Sequence, residues 1–325
     1  MSLDDALAVV QGEEPLDAST EAALAVQGYQ DAMSYVLQLA NDPHFTYSAA
    51  LIRSLHYMMI KHTLDKNPGR WRPGHIFVRD DETQQTVYEG PSAELVPFLV
   101  DELVSALDDD GSAPPMVRAA MAHLNLVMIH PFSDGNGRMA RCLQTLVLAR
   151  HGTLAPQLSS IEEYLGRNVQ SYYDVLASVG GGAWHPERDA RPWVRYCLTA
   201  HYRQATTMLR RARLLDRIWL AAEEEALRAG VPERTVLILT DAIVGAKIRN
   251  ATYRSMAEIS EQVASRDLKQ LVDAGLLIPH GERRGRVYMA SARLAAMRTG
   301  LVEKTPIVDP FTVGSIAQLS LPSGP

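Results

Sequence analysis

Apolar residues recur at helical spacing along most of this chain, and polar segments separate the periodic stretches. Clear examples run from Ser48 to Thr63 and from Ser92 to Leu107, where apolar side chains lie three and four positions apart. Similar stretches lie on both sides of residues 130–141. Because this period dominates the sequence, the pattern predicts a mainly α fold.

Two further segments refine this prediction. Glu21 to Ala40 is predicted to be a helix interrupted by Gly28, because a glycine inside a helix costs about 1 kcal/mol relative to alanine. Short apolar segments around Phe77 and Val87 flank a polar, turn-like stretch, and this arrangement predicts a β-hairpin.

The C-terminal part has a different organisation. Trp193 to Ala229 contains neither Gly nor Pro and predicts one or two helices that connect to a second domain. Three shorter helical segments follow, and then two strand-like segments around Gly281 and Gly285. The order helix, helix, helix, hairpin predicts a winged helix-turn-helix domain.

Composition narrows the class of protein only slightly. The chain has 325 residues, is 46% hydrophobic and 22% charged, and carries a net charge of −6. These values are ordinary for a globular protein and give no global nucleic-acid signature. The acidic N-terminus and the lack of a long apolar run predict a cytoplasmic protein without a membrane span, in which Cys142 and Cys197 are buried thiols.

One twelve-residue string, HPFSDGNGRMAR from His130 to Arg141, concentrates chemistry between two predicted helices. Gly135 and Gly137 allow the backbone a tight turn and a close approach to a ligand. The free N–H groups and the dipole at the start of the second helix favour a bound anion. The loop therefore predicts a phosphate site at a helix N-terminus.

The side chains of the string fit that site. Arg138 and Arg141 are three positions apart on the first helical turn, so both guanidinium groups lie near the anion. Asp134 beside phosphates predicts a divalent cation that the phosphates share. His130, with an ordinary pKa of about 6.5, suits a general base. Helix capping alone would explain single Gly, Asn and Asp residues, but not the whole string.

The string resembles the signature of the Fic family, HPFx(D/E)GNGRxxR, at every fixed position. The resemblance implies transfer of AMP from ATP to a hydroxyl group of a target protein, with Mg²⁺ as cofactor. His130 would be the general base and Asp134 the metal ligand. Gly135, Asn136 and Gly137 would hold the nucleotide together with the two arginines, Arg138 and Arg141. A related branch that phosphorylates has Lys at the position of Gly137.

The resemblance also assigns roles to two neighbouring segments. The predicted hairpin would dock the target protein as an added strand; a plain surface hairpin is the alternative. Many family members carry an N-terminal inhibitory helix with the motif (S/T)xxxE(G/N), in which Glu pairs with the last Arg of the signature. Here Ala23 and Gln27 replace Ser/Thr and Glu. Because an amide pairs less strongly with Arg than a carboxylate, we expect weak or absent autoinhibition.

The predicted winged helix-turn-helix is locally basic. Between Lys247 and Arg298 there are ten Lys or Arg residues against five Asp or Glu. If this domain binds DNA, its third helix would enter the major groove and its wing would reach phosphates. The candidate DNA contacts are Ser265, Arg266, Lys269, Arg283 and Arg284. Dimerisation or target docking by the same domain is an equal alternative.

The sequence thus predicts a Fic-type helical domain with a β-hairpin flap, followed by a winged helix-turn-helix domain. The expected segments are an N-terminal helical segment (1–45), the Fic domain (46–198), a connecting helix (199–230), the winged domain (231–300) and a flexible tail (301–325). A protein adenylyltransferase acting as a homodimer is expected. The alternatives are a DNA-binding transcriptional regulator and transfer from another donor, such as UTP, GTP or CDP-choline.

Overall fold

A computed structural model describes residues 20–79, 83–109, 111, 113–152, 160–282 and 285–312. The fold is mainly α, as predicted. The helices are α1 Thr20–Ala40, α2 Ala49–Ile60, α3 Val96–Asp108, α4 Pro115–Ile129, α5 Asn136–Arg150, α6 Glu162–Arg167, α7 Val169–Gly180, α8 Arg191–Ala229, α9 Val236–Val244, α10 Asn250–Ala257, α11 Glu261–Asp273 and α12 Ala292–Leu301. The strands are β1 Phe77–Arg79, β2 Thr86–Glu89, β3 Leu277–His280 and β4 Val287–Ala290.

The described residues form two compact units. One comprises the described residues up to Ala205 together with those from Val308, and the other is Thr206–Ile307. The predicted boundary between the Fic domain and a connecting helix differs from this division, because a single helix, α8, begins at Arg191 and continues to Ala229.

The first unit is built around α4 and α5, which pack against each other. One face of this pair joins α1, α2 and α3 in a common apolar core that includes Leu55, Val100, Leu126 and Leu143. The opposite face of α4 packs on α6, α7 and the start of α8, where Trp193 is fully buried and donates to the Ala120 carbonyl at 2.7 Å. The loop between α4 and α5 is therefore held at both ends by buried helices.

Local sequence explains where these helices begin and end. The Ser48 hydroxyl accepts from the Leu51 N–H at 3.1 Å and caps α2. Proline lies in the first turn of α3 and of α4, where its missing N–H has no helical partner. α4 ends at His130 in a left-handed conformation, with φ 51° and ψ 58°.

Gly28 does not interrupt α1; the prediction of a broken helix is wrong. The helix is continuous, and Gly28 is buried where α1 crosses α2. A β-carbon at this position would lie 2.7 Å from the Met58 carbonyl oxygen and 2.8 Å from that of Met59. Glycine is required here because the two backbones approach so closely.

The predicted β-hairpin is present, and we call residues Phe77–Glu89 the flap. β1 and β2 pair antiparallel, with Val78 opposite Tyr88. The pairing register shifts between Val78 and Arg79. The Tyr88 hydroxyl donates to the Met128 carbonyl at 2.6 Å. This bond anchors the flap to the last turn of α4, beside His130.

The second unit has the predicted order of three helices and a hairpin. β3 and β4 pair antiparallel, and Ile248, between α9 and α10, forms an isolated bridge with Tyr288. The buried Asp267 accepts from Arg234 at 2.7 and 2.9 Å and from the Tyr253 hydroxyl at 3.0 Å. This buried network and an apolar core including Leu239, Leu268 and Leu271 hold the unit together.

The predicted terminal segments are only partly described. Residues 1–19 and 313–325 lie outside the described ranges. The described part of the predicted tail is not free of contacts: Glu303 pairs with Arg210 at 3.2 Å, and the Arg195 guanidinium lies over the Phe311 ring at 5.3 Å. The helices that the structure describes include none that is long and apolar enough to cross a membrane.

Candidate active site

His130 lies at the junction of α4 and the signature loop. Its Nδ1 is 3.0 Å from the Val127 carbonyl oxygen, which can only accept a hydrogen bond. Nδ1 therefore carries the proton and Nε2 keeps its lone pair. Burial lowers the pKa of His130, the Val127 hydrogen bond opposes that effect, and Arg72 adds to it. The imidazole is thus held neutral and oriented, as a general base must be.

Arg72 is a buried clamp around His130 that the sequence did not indicate. Its Nε donates to the His130 carbonyl at 2.8 Å, and its Nη1 donates to the Gly74 carbonyl at 2.6 Å. Its Nη2 donates to the Pro91 carbonyl. One guanidinium therefore connects the histidine, the segment before the flap and the segment after it.

His56 of α2 packs against the signature loop. Its ring stacks on Phe132 with centroids 3.6 Å apart. The Gly69 N–H donates to its Nδ1 at 2.9 Å, so its Nε2 carries the proton and donates to the Asp134 carbonyl at 3.0 Å. Burial lowers the pKa of His56 to about 4. This histidine remains neutral near pH 7, and it holds the signature loop in place rather than acting as an acid or a base.

The loop is closed by the side chain of Asn136. Its Oδ1 accepts from the Phe132 N–H at 2.9 Å, and its Nδ2 donates to the Phe132 carbonyl at 2.9 Å. Both ends of the amide are thereby engaged, and the residue is buried. Asn136 can therefore contribute to a bound phosphate through its backbone N–H, with its side chain maintaining the turn.

The start of α5 presents free backbone donors. Gly135 precedes the helix in a left-handed conformation (φ 75°), and the first helical bond runs from the Met139 N–H to the Gly135 carbonyl at 2.9 Å. The N–H groups of Asn136, Gly137 and Arg138 come before that bond, where helix geometry provides no partner. These N–H groups are the backbone donors that the predicted anion site requires.

Asp134 and Arg138 lie together beside this cradle. The Asp134 carboxylate accepts from the Gly135 N–H at 2.6 Å and faces the Arg138 guanidinium at 3.4 Å. Half of its side-chain surface remains exposed. Across the described ranges, no group of three His, Cys, Asp or Glu residues could hold a metal ion by itself. One accessible carboxylate fits a Mg²⁺ ion whose other ligands are phosphates and water.

Arg141 faces a carboxylate from α6 rather than from α1. Its Nε lies 3.9 Å from Oε1 of Glu162, too far for a hydrogen bond, and that oxygen has no hydrogen-bond partner among the described residues. Burial raises the pKa of Glu162 to about 7 and lowers the pKa of Arg141. Gln27 is exposed on α1, and no described contact joins it to Arg141.

Buried polar side chains of α4, α5, α7 and α8 form a hydrogen-bonded network near Arg141. His123 Nδ1 is 2.6 Å from Gln144 Oε1, and His123 Nε2 is 3.1 Å from the Tyr172 hydroxyl. The Gln144 amide also reaches His201 Nε2 at 2.9 Å. Burial lowers the pKa of His123 to about 3 and that of His201 to about 4. These neutral groups position the helices that surround the loop.

The predicted DNA contacts lie elsewhere, in the second unit. Ser265, Arg266 and Lys269 are all exposed on α11, and the Ser265 hydroxyl accepts from the Asn250 amide at 3.2 Å. Arg283 and Arg284 lie outside the described residues. The structure therefore brings three of the five candidates together on one helix.

Comparison with known proteins agrees with this geometry. A sequence profile of the Fic/DOC family matches residues 46–148, which contain the flap and the whole signature. The chain carries a Fic domain. Protein adenylyltransferase fic-1 of Caenorhabditis briggsae is 38% identical over 105 residues, which are 31% of this chain and 20% of that protein. Its counterpart in Caenorhabditis elegans is 30% identical over 161 residues, which are 48% of this chain and 30% of that protein.

Solved structures support the same fold. A Fic family protein from Desulfovibrio desulfuricans G20 superposes with a TM-score of 0.54 at 21% identity, covering 90% of this chain and 82% of that one. Fic-1 (residues 134–508) of C. elegans superposes at 0.51 with 26% identity, covering 65% of this chain and 57% of that one. The chain thus spans less than a third of the length of the fic-1 proteins it matches.

Sequence reasoning missed the residues that support the Fic signature from a distance. Arg72, His56 and Glu162 lie outside the signature and belong to no short motif. Their common signal is a polar side chain within an otherwise apolar stretch or in a loop, and that signal is too frequent to identify a partner. Only the folded chain shows which group each one contacts.

Proposed function

We propose that this protein is a protein adenylyltransferase, which transfers AMP from ATP to a Tyr, Thr or Ser hydroxyl group of a target protein, itself included. The single observation that carries the proposal is the pairing of a neutral His130, whose Nε2 is free, with the free backbone donors at the start of α5. The names of the fic-1 relatives support the same chemistry.

The reaction follows from the parts of the site. His130 Nε2 takes the proton of the target hydroxyl while its oxygen attacks the α-phosphorus in line. The bond to the bridging oxygen breaks, and pyrophosphate leaves. The backbone N–H groups of Asn136, Gly137 and Arg138 stabilise the charge on the phosphate oxygens, because the helix holds them oriented toward the phosphate before the substrate binds.

Arg138 and Arg141 would hold the leaving pyrophosphate; the Glu162 carboxyl group lies 3.9 Å from the Nε of Arg141. When bound at Asp134, Mg²⁺ would neutralise charge shared between the phosphates. The carboxylate is already oriented for this by the Gly135 N–H. These residues account for each phosphate group of the nucleotide.

The flap offers a place for the target backbone. β2 pairs with β1 on one side, and on its other side the Glu89 N–H donates to the Gly182 carbonyl at 2.9 Å. Within the described chain, β1 has no strand on its outer edge. An extended target segment adding to that edge would gain affinity from backbone hydrogen bonds without a strict side-chain requirement.

The deciding experiment is intact mass spectrometry of the purified protein after incubation with ATP and MgCl₂. We expect an AMP adduct on the protein, and we expect the His130→Ala variant to lack it while keeping the circular dichroism spectrum of the wild type. Parallel incubations with UTP, GTP and CDP-choline identify the donor. An undiminished adduct in the His130→Ala variant would exclude the proposed mechanism.

A second candidate function, DNA binding, is supported by α11. Its exposed Ser265, Arg266 and Lys269 have the spacing of one helix face, and the local charge between Lys247 and Arg298 is positive in an acidic chain. Binding to duplex DNA would weaken steeply with salt. A Lys269→Ala variant that binds duplex DNA as tightly as the wild type, with the same salt slope, would remove the support of this helix.

A further inference from the structure

The last turn of α4 leaves two carbonyl groups without a helical partner. In an α-helix each carbonyl accepts from the N–H group four residues later. For Val127 that residue is Pro131, which has no N–H group. For Met128 it is Phe132, whose N–H donates instead to Asn136 Oδ1 at 2.9 Å. Both carbonyl groups must therefore find donors outside the helix, because a buried carbonyl without a hydrogen bond is costly.

These two neighbouring carbonyl groups hold the proposed base and the flap. The Val127 carbonyl accepts from Nδ1 of His130 at 3.0 Å, and the Met128 carbonyl accepts from the Tyr88 hydroxyl at 2.6 Å. Peptide units are planar and stiff, so a displacement of one carbonyl is felt at the next. The position of the flap and the orientation of His130 are therefore set by the same helical turn.

Packing fixes the ring of Tyr88 at this helix end. The residue is 9% exposed, and its ring lies beside the last residue of α7, Gly180. A β-carbon at Gly180 would lie 3.1 Å from Met128 Cε and 3.6 Å from Tyr88 Cδ2. The next residue of the flap, Glu89, donates its N–H to the Gly182 carbonyl at 2.9 Å. Tyr88 thus joins β2 to α4 through a buried hydrogen bond.

Beyond Tyr88 the chain passes directly beside the base. A β-carbon at Gly90 would lie 3.7 Å from Cβ of His130 and 2.7 Å from Cγ2 of Ile76. The Gly90 N–H donates to the Ile76 carbonyl at 3.1 Å. The other strand of the flap is more open, since Phe77 is 47% exposed. The flap is therefore held at the end next to His130, and β1 remains accessible to a target segment.

From these contacts we infer that Tyr88 is a positioning residue for AMP transfer, because its hydroxyl fixes the flap relative to His130. A target segment added to the flap would then present its hydroxyl group to Nε2 of His130. The inference rests on the proposed function and deepens it, since Tyr88 lies outside the signature. Tyr88 acts through the flap and the α4 carbonyl; its own proton is engaged by Met128, so it takes no part in the proton transfer.

Loss of this hydrogen bond has two physical consequences. The flap would gain freedom to move away from His130, and a misplacement of about 1 Å can cost about 100-fold in rate. The Met128 carbonyl would be left buried without a donor. Neither change touches the backbone donors at the start of α5, so we expect nucleotide binding to be preserved.

The Tyr88→Phe variant tests the inference, because it keeps the ring and removes the hydrogen bond. Intact mass spectrometry gives the rate of self-labelling at a series of ATP concentrations. We expect the maximal rate to fall at least about tenfold, and the ATP concentration for half-maximal rate to change by less than about twofold. Tyr29→Phe is the matched control. The Tyr29 hydroxyl is buried but has no hydrogen-bond partner among the described residues, so both values should stay unchanged.

Hydrogen–deuterium exchange gives a readout that does not depend on activity. In Tyr88→Phe we expect faster exchange of the β1 and β2 amides and unchanged exchange in α5. Three results would each overturn the inference: labelling by Tyr88→Phe as fast as by the wild type, unchanged exchange in the flap, or a half-maximal ATP concentration that rises as much as the maximal rate falls. A wild type that forms no AMP adduct would refute the proposed function itself, and the inference with it.

Discussion

Glu162 provides a quantitative test of the structure because its carboxyl group is buried without a hydrogen-bonded partner for Oε1. Its pKa rises from the ordinary 4.5 to about 7, and burial is the cause. The unfolded chain ionises this group freely above pH 4.5, whereas the folded chain resists ionisation until about pH 7. The folded state therefore loses stability as the pH rises through this interval.

The size of the loss follows from the two pKa values. At about 1.36 kcal/mol per pH unit, the cost reaches at most about 3.4 kcal/mol well above pH 7. Since 31% of the side chain remains exposed, solvent screening reduces that figure to about 1–2 kcal/mol. The Glu162→Gln variant keeps the shape of the neutral acid and cannot ionise. It should raise the free energy of unfolding by about this amount at pH 8 and change it by less than about 0.5 kcal/mol at pH 4.5.

Denaturant unfolding at both pH values, followed through tryptophan fluorescence, measures the difference. Glu163→Gln is the matched control: Glu163 pairs with Arg167 at 2.8 Å and accepts from Gln204 at 3.2 Å, so its replacement should give no gain at pH 8. An equal stabilisation by Glu162→Gln at both pH values would refute the reasoning, because the ionisation of Glu162 would then have no part in it.

Two further predictions concern residues that hold the Fic domain in shape. Gly28→Ala should lower the free energy of unfolding by about 1–2 kcal/mol, since the close contact with two α2 carbonyls outweighs the gain in helix propensity. Gly166→Ala, where an added β-carbon would meet nothing within 4 Å, should instead raise the free energy of unfolding. Calorimetry of both variants measures the two changes in stability. Arg72→Lys should lower the rate of AMP labelling at least about tenfold and reduce the denaturation midpoint. One ammonium group cannot reach three carbonyl groups that lie in different directions. The buried carbonyl groups left unpaired would cost about 1–3 kcal/mol each. Arg70→Lys, at an exposed position, should do neither, and normal labelling by the Arg72→Lys variant would contradict the role of the clamp.

The predictions that held depend on residues close together in the chain. The helices on either side of the signature, the end of the first of them at His130 and the turn at Gly135 follow from apolar spacing and from glycine placement over a few residues. The order of elements in the second unit follows for the same reason. The continuous α1 was missed because the cost of a glycine within a helix is smaller than the energy of the packing that requires it.

The sequence by itself determined the chemical groups of the candidate site: a histidine, a carboxylate and two arginines around a glycine-lined helix start, all within twelve residues. The tertiary structure decided which groups surround that chemistry. Arg72 and His56 reach the loop from segments that precede it by 58 and 78 positions, and Glu162, rather than Gln27, faces Arg141. Such pairings depend on how helices pack, and packing is set by the whole apolar core rather than by any local pattern.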